Sequence, residues 1–443
     1  MNELPERNLS SAWYMVGILM LAQTCSFIDR MIMGLMVGPI RQSFGISDTQ
    51  FSLLAGLAFS LFYSLMGLPL ARIADRGDRR KLIMICISLW SVMTALCGLA
   101  RGFWTLFLAR VGVGVGEAAL SPAAYSMISD AFPKKTLGLA TSVYTMGVTF
   151  GSGLAYMLGG LVIGWASTVG TLHVPVLGEL EGWRLTFMIV GIPGLLIALM
   201  LGTVKEPARS SGEGLIAIPL REVFAFISDR RRAMGCHIIG VAVFIMVVFG
   251  INIWGPTYLI RTFGFTAADA GMHFGTIMMV LGTAGLLAGG TIADAWFARG
   301  RKNAYPLVIL LSGLCMLPFV LGMGWVTEAN LGLICLAGAT FFSAFQGGIA
   351  AGTLQLMTPG PMRAQVAALY FLLANLIGIG LGPTVVAVLT DFVFADDAAI
   401  GQSLALSAAV LVPVACILIW IALPAIEEAI DRNLSEPTPQ GAD

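Results

Sequence analysis

Four charged residues lie inside long apolar segments, and they are the strongest chemical signal in the chain. Asp29 and Arg30 are neighbours in the first apolar segment, whereas Arg110 and Glu117 share the fourth. A charge at the centre of a membrane helix costs about 2.5–3.5 kcal/mol on insertion scales, so such residues tend to be paired and functional. We therefore expect these four side chains to form one buried charged site.

Helix geometry indicates how the four residues could pair. Arg110 and Glu117 are almost two turns apart and project from one helix face, while Asp29 and Arg110 can reach overlapping depths in the membrane. Asp29 can therefore pair with Arg110, and Arg30 is a second candidate partner for the acids. Burial favours a protonated Glu117, whereas a nearby arginine favours the carboxylate. This competition predicts a proton or substrate site, and salt bridges that only fix helix packing are the alternative.

The composition places these charges in a membrane protein. Of the 443 residues, 57% are hydrophobic and 11% are charged, whereas soluble proteins average about 25% charged residues. The 25 basic and 25 acidic residues balance, which gives no reason to expect a nucleic-acid partner. The seven cysteines are odd in number and nearly all lie in apolar stretches, so no disulfide framework is expected.

Apolar runs of about 20 residues, long enough to cross a membrane, occur twelve times. Unbroken runs indicate helices, because the strands of a membrane barrel alternate in polarity. The predicted fold class is an all-α integral membrane protein with twelve transmembrane helices in two six-helix bundles. The runs fall at roughly 12–38, 51–71, 82–100, 104–129, 138–166, 185–203, 234–259, 270–293, 304–325, 330–357, 364–390 and 402–424.

The basic residues between the spans predict the orientation, because basic loops stay in the cytoplasm. With a cytoplasmic N-terminus, both termini are cytoplasmic and most Lys and Arg residues face the cytoplasm. The acidic, proline-bearing start and the long first apolar run predict no cleavable signal peptide. The segments on the opposite side then hold only Arg41, Arg101, Arg184 and Arg261.

The longest polar segment between spans divides the chain into two halves. We expect an N-terminal six-helix bundle at 1–203, a cytoplasmic linker at 204–233 and a C-terminal bundle at 234–443 that ends in a short disordered tail. Within the linker, 219–228 could form an amphipathic helix at the membrane surface, and an ordinary ordered linker is the alternative.

A charged motif follows the second span and recurs after the eighth. The spacing of Asp75 from Asp294 equals that of Arg80 from Arg299. A carboxylate at a helix end followed by a basic turn can pair with neighbouring helix ends and exposed helix N-termini. The repeat predicts a conformational latch formed by Asp75, Arg76, Arg79, Arg80, Asp294 and Arg299.

This motif resembles the signature G-x-L-a-D-R-x-G-R-R/K of the major facilitator superfamily. The resemblance covers nearly the whole chain, including Trp183-Arg184-x-x-Phe187 at the start of the sixth span and the paired loops that begin at Pro133 and Pro359. It implies two six-helix bundles that work by rocker-switch alternating access around a central cavity. The chain departs from the usual glycine or arginine of the superfamily at Ala71, Asp78 and Leu137.

A narrower resemblance is carried by the first and fourth spans. Asp29-Arg30, together with the stretch from Arg110 through Gly116-Glu117-Ala118 to Pro122, looks like the spinster-like lipid transporters, which show these residue types at these spacings. The resemblance implies lysophospholipids or phosphorylated sphingoid bases as substrates. A sugar, organic-acid or drug transporter of another branch is the alternative.

The second half contrasts with the first because its spans carry no internal Lys or Arg. A cavity that is charged on one wall and apolar on the other would suit an amphiphile. Aromatic and amide side chains in these spans are candidates for lining the cavity, although packing alone could also explain them. The candidates are Phe244, Trp254, Tyr258, Phe345, Gln346, Tyr370 and Asn375.

Together these features predict a secondary transporter of the cell membrane that moves an amphiphilic lipid and is linked to protons. No cofactor or metal is expected, and the chain is expected to act as a monomer among membrane lipids. An enzyme would need a clustered nucleophile, base or metal site, but His173, His237 and His273 are scattered. A channel would need a filter or a charged ring. The partial antiporter motif from Gly147 to Gly151 leaves antiport, symport and uniport open.

Overall fold

The computed structural model describes residues 9–169, 172–174, 178–209 and 219–435. Within these residues, twelve helices are long and apolar enough to cross a membrane. We label them α1 to α12 in chain order. Their bounds are Leu9–Leu35, Asp48–Ala74, Arg79–Gly98, Phe103–Ala131, Thr136–Trp165, Gly182–Leu201, Arg231–Phe263, Ala267–Ala298, Ala304–Gly322, Ala329–Met357, Gln365–Phe394 and Asp397–Asn433.

The predicted all-helical membrane fold is confirmed, and most helix ends lie within a few residues of the apolar runs. The largest difference is at α12, which continues past residue 424 to Asn433. Its last turns remain helical because they are amphipathic, with Ile426 and Ile430 buried while Glu427 and Glu428 are exposed. The predicted disordered tail at 436–443 lies outside the described residues.

Several helices begin at residues that cap free backbone N–H groups. Ser47 and Gln50 form a reciprocal capping box at the start of α2, and Thr266 caps α8. Asp78, where the superfamily usually has glycine, caps α3 by accepting a 2.8 Å hydrogen bond from the backbone N–H of Lys81. Partial burial acts to raise the pKa of Asp78, but this hydrogen bond and the charges of Arg80 and Lys81 lower it overall.

Two short helices and a pair of short strands accompany the spans in the described part of the chain. A helix at Val37–Phe44 follows α1, and the strands β1 (Leu172–Val174) and β2 (Gly178–Leu180) pair antiparallel between α5 and α6 with Leu172 opposite Leu180. The linker helix, Leu220–Asp229, lies where the amphipathic segment is predicted. Its Val223 is buried in a hydrophobic core formed by α7 and later helices.

The chain forms two compact units. Unit 1 comprises Met1–Gly212, Asn252–Met279 and Ala387–Ile400, and unit 2 comprises Glu213–Ile251, Val280–Val386 and Gly401–Asp443. Unit 1 therefore holds α1 to α6 together with the ends of α7, α8, α11 and α12 that are predicted to face away from the cytoplasm. The division into bundles at 1–203 and 234–443 stays a prediction.

A seam of glycines in unit 1 joins α5 to the first part of α8. A Cβ atom on Gly153 would lie 3.0 Å from the carbonyl oxygen of Gly275, and one on Gly160 would lie 2.9 Å from that of Ala267. Small residues let membrane helices approach this closely. The seam explains how a segment from the second half of the sequence packs within unit 1.

Candidate functional site

The glycines of α4 bring its charged face close to α2 and α3. A Cβ atom on Gly114 would lie 2.5 Å from the carbonyl oxygen of Phe59 in α2, and one on Gly116 would lie 2.8 Å from the backbone nitrogen of Trp90 in α3. Any side chain at these two positions would push the helices apart. The alternating glycines therefore serve helix packing, and this packing sets the positions of Arg110 and Glu117.

Glu117 is held by two residues of α1. Its Oε2 atom accepts a 2.6 Å hydrogen bond from Arg30 Nε and another of 2.6 Å from Ser26 Oγ. The Glu117 side chain is fully buried and that of Arg30 is 10% exposed. Within the described part of the chain, Glu117 Oε1 has no hydrogen-bond partner. The buried carboxylate thus makes both of these polar contacts through one oxygen.

Asp29 and Arg110 lie beside each other without a bond between their charged groups. Asp29 Oδ2 accepts a 3.1 Å hydrogen bond from Thr94 Oγ1, and Arg110 Nη1 donates a long 3.4 Å bond to the backbone carbonyl of Asp29. Asp29 Oδ1 and two Arg110 nitrogens, Nε and Nη2, have no partner among the described residues. The structure therefore gathers all four predicted residues, but Glu117 pairs with Arg30 rather than with Arg110.

One aromatic ring lies beside both arginines. The guanidinium carbon of Arg30 lies 4.5 Å from the centroid of Phe59, and that of Arg110 lies 5.6 Å from the same ring. Tyr63 and Phe27 complete the aromatic surroundings of Arg30, at 4.6 and 4.9 Å. Cation–π contacts stabilise a desolvated guanidinium. Phe59 therefore contributes to stabilising both guanidinium groups.

Uncharged polar residues extend this site towards α5. Tyr144 donates a 2.7 Å hydrogen bond to Gln23 Oε1, and Ser121 Oγ lies 3.1 Å from the Tyr144 hydroxyl. Sequence reasoning missed these residues. The available signal was the spacing of Gln23, Ser26 and Arg30, which places them on one face of α1.

A second charged cluster, the Arg79 cluster, lies at the predicted cytoplasmic end of unit 1. Arg79 pairs with Asp130 at 2.5 Å and with Glu206 at 2.7 Å, and it donates to the carbonyl of Pro207 at 2.9 Å. Glu206 also accepts a 2.9 Å bond from the backbone N–H of Arg80. The cluster ties the start of α3 to α4 and to the segment after α6. Sequence analysis assigned no role to Glu206.

We expect Arg79→Ala to destabilise the protein by about 3–5 kcal/mol, because it removes the buried cation that compensates the charges of Asp130 and Glu206. The Arg79 side chain is only 2% exposed. The free energy of unfolding in detergent measures the effect. Arg76→Ala removes an exposed arginine three residues earlier and should change stability by less than about 0.5 kcal/mol. Equal effects of the two variants would contradict a structural role for the cluster.

The remaining latch residues show few contacts. The side chain of Asp75 lies outside the described part of the structure, and Arg76 and Arg299 are exposed. Asp294 accepts a 2.7 Å hydrogen bond from the hydroxyl of Tyr305 within unit 2. The conformational latch therefore stays a prediction.

A third charged cluster was missed in the sequence, and we call it the Asp48 network. Buried Asp48 at the start of α2 accepts two bonds from Arg261 of α7, at 2.6 and 2.8 Å, and lies 3.1 Å from Arg41. Arg41 also pairs with Asp397 at 2.7 Å, and the backbone N–H of Thr49 donates to Asp391 at 2.7 Å.

Opposite charges compensate one another within the Asp48 network. Burial acts to lower the pKa of Arg41, but its hydrogen bond to Asp397 and the charges of Asp48, Asp397 and Asp391 raise it overall. Arg41 and Arg261 are two of the four arginines predicted to face away from the cytoplasm. Both halves of the sequence contribute to the network, and all of its residues belong to unit 1.

The aromatic candidates of the second half are mostly buried. Phe244, Trp254 and Tyr258 are each 0% exposed, Tyr370 is 4% exposed and Phe345 is 8% exposed. The amides Gln346 and Asn375 are partly exposed. Contact of these residues with a substrate stays a prediction.

Comparison with known proteins agrees with this geometry. The family model described as Major Facilitator Superfamily matches residues 19–383. An MFS-type efflux pump of Mycolicibacterium smegmatis is 27% identical over 93% of this chain and 92% of that protein. The sphingosine-1-phosphate transporter SPNS2 of Mus musculus is 27% identical over 85% of this chain and 69% of that protein.

A solved structure is also similar. It is a bacterial homolog of the human lysosomal transporter Spinster in an inward-facing, unoccupied conformation, 28% identical to this chain with a TM-score of 0.77. The alignment covers 97% of this chain and 99% of that one.

This chain belongs to the major facilitator superfamily and is an integral membrane transporter rather than an enzyme. The likeness to spinster-type transporters, predicted from the residues of α1 and α4, is confirmed.

Proposed function

We propose that this protein moves an amphiphilic lipid with an anionic head group across the cell membrane by proton-linked alternating access. The observation that carries this proposal is the buried Glu117–Arg30 ion pair beside Arg110, whose Nε and Nη2 atoms have no hydrogen-bond partner among the described residues. A buried guanidinium with unused donors is suited to a phosphate or carboxylate. Sphingosine-1-phosphate, the substrate that gives the SPNS2 relative its name, belongs to the same chemical class.

Proton linkage follows from the pairing of Glu117 with Arg30. A proton on Glu117 would remove the negative charge that holds Arg30, and the released guanidinium could bind an anionic head group or turn towards Asp29. Leaving one buried charge unpaired is costly, so proton occupancy and the arrangement of the site depend on each other. On the protein side, this change of partner involves only Glu117, Arg30 and Asp29, which already lie in one cluster.

Alternating access also needs a closure on each side of the membrane. We assign the closure opposite the cytoplasm to the Asp48 network and the glycine seam between α5 and α8. Arg261 binds Asp48 through two parallel hydrogen bonds, a geometry that is both strong and specific. Breaking these contacts would be required before that side could open.

Export of a drug-like compound is the second candidate, because the Mycolicibacterium relative is an efflux pump. The two candidates differ in the expected substrate. Flux of labelled lysophospholipids in proteoliposomes, with and without a pH gradient, tests the lipid proposal directly. Saturable flux that responds to the gradient is expected, and its absence for every anionic amphiphile would favour the second candidate.

Affinity for a lysolipid is expected to rise with its chain length. Each buried CH₂ group contributes at most about 0.8 kcal/mol, until the apolar wall of the cavity is filled. Competition by a homologous series against one labelled lysolipid measures this rise. A hexose serves as the control, and competition by the hexose as strong as that of the longest chain would contradict a lipid substrate.

A further inference from the structure

A groove in unit 2 lies at the start of α7, on the side predicted to face the cytoplasm. Its volume is about 490 Å³, and α12 contributes one wall. We call it the basic groove, and it is lined by Arg231, Arg232, Gly235, Cys236, Ile239 and Leu418. Two arginines thus contribute to a lining that is otherwise largely apolar.

The two arginines of the groove are available to a ligand. Arg231 and Arg232 are exposed, and neither has a side-chain hydrogen bond or ion pair with any residue that the structure describes. The preceding arginine behaves differently, because Arg230 lies 3.5 Å from Asp229 and stacks at 4.2 Å on Phe226. The arginines that line the groove therefore have no partner among the residues that the structure describes.

The linker helix next to the groove has the character of a membrane-surface helix. It buries Val223 in the core of unit 2 and leaves the side chain of Phe224 55% exposed. Arg221 on the same helix is also exposed. An amphipathic helix with exposed aromatic and basic residues is typical of the boundary between head groups and acyl chains. The groove therefore opens at the depth where lipid phosphates lie.

We propose that the basic groove binds an anionic phospholipid of the cytoplasmic leaflet. The phosphate would contact the guanidinium groups of Arg231 and Arg232, and an acyl chain would lie along Ile239 and Leu418. Ile239 follows Arg232 by almost two helical turns, about 10 Å along the axis, which suits a head group at one end and a chain at the other. Basic pockets between membrane helices on this side favour anionic lipids over zwitterionic ones.

Native mass spectrometry of the full chain tests the proposal. Protein in detergent is supplied with equal amounts of phosphatidylglycerol and phosphatidylcholine, and the bound two-chain lipids are counted. We expect the wild-type protein to retain mainly phosphatidylglycerol. The double variant Arg231→Gln/Arg232→Gln should lower the ratio of bound phosphatidylglycerol to phosphatidylcholine by about tenfold, because each arginine near a membrane surface adds to the attraction. Both residues are exposed, so the variant is expected to fold.

Two further variants locate the site. Arg221→Gln removes the same charge from the linker helix outside the groove and should leave the ratio unchanged. Leu418→Trp narrows the apolar part of the groove and should reduce phosphatidylglycerol binding although both arginines remain. An unchanged ratio in the double variant, or an equal loss in Arg221→Gln, would overturn the proposal. Displacement of the lipid by glycerol 3-phosphate at equal concentration would also overturn it, because a free phosphate would then be the ligand.

Discussion

The Glu117→Gln variant is expected to lose the pH dependence of the equilibrium between inward-facing and outward-facing states while remaining folded. The amide mimics the protonated acid and still offers an oxygen to Ser26, but it no longer compensates the charge of Arg30. Transport should fall by about tenfold or more, because a buried charge left without its partner costs several kcal/mol. Distances between spin labels at acidic and alkaline pH measure the equilibrium, and proteoliposome flux measures transport.

Ser26→Ala is the matched control for this prediction. It removes the 2.6 Å hydrogen bond that the uncharged Ser26 hydroxyl donates to Glu117 and leaves the ion pair with Arg30 in place. The pH dependence should therefore survive in Ser26→Ala. If Glu117→Gln transports normally and keeps the wild-type response to pH, the proton switch is elsewhere, and the ion pair serves only to fix the packing of α1 against α4.

The positions of the spans and of the charged site could be predicted because each rests on a large local free-energy term. A run of about 20 apolar residues is stable in a membrane only as a spanning helix. A charge within such a run costs enough free energy to indicate a paired or functional residue. For this reason the charged site could be predicted at Asp29, Arg30, Arg110 and Glu117. The seven-residue spacing of Arg110 and Glu117 also predicted that their side chains lie on one face of α4, and the structure brings both into one cluster.

The partners within that cluster could not be predicted, because they depend on the rotation and tilt of helices far apart in sequence. Gly114 lets α4 approach the backbone of Phe59 in α2, and the ring of Phe59 contacts both Arg30 and Arg110. No local pattern carries that information. The estimated depth in the membrane predicted that Asp29 and Arg110 lie near each other. Depth alone did not predict whether Glu117 pairs with Arg30 or with Arg110.

The Asp48 network was missed for a different reason. Its residues lie at the ends of spans, where a charged side chain is ordinary and indicates nothing by itself. Arg41 and Asp397 are 356 positions apart in the chain, and Asp48 and Arg261 are 213 apart. Only the tertiary packing of α2, α7 and α12 brings them together.

The Asp48→Asn variant is expected to shift the protein towards the outward-facing state. Asp48 is fully buried and binds Arg261 through both carboxylate oxygens, so its neutralisation leaves Arg261 poorly compensated. The Arg261 side chain is partly exposed to solvent. We therefore expect a population change of about tenfold rather than the larger effect of breaking a fully buried ion pair. Spin labels at Gln42 and Thr262, two exposed positions near the network, measure the change as a larger fraction of long distances.

Graded controls separate this role from a general effect of charge. Asp397→Asn should give a smaller shift, because the Asp397 side chain is 57% exposed and its ion pair is with Arg41. Arg101→Gln removes an exposed arginine predicted to lie on the same side and should leave the distances unchanged. The double variant Asp48→Asn/Arg261→Gln should shift the equilibrium less than the sum of the two single variants, since both remove one interaction. Additive shifts, or unchanged distances in Asp48→Asn, would show that closure on this side depends on the glycine seam between α5 and α8 rather than on the Asp48 network.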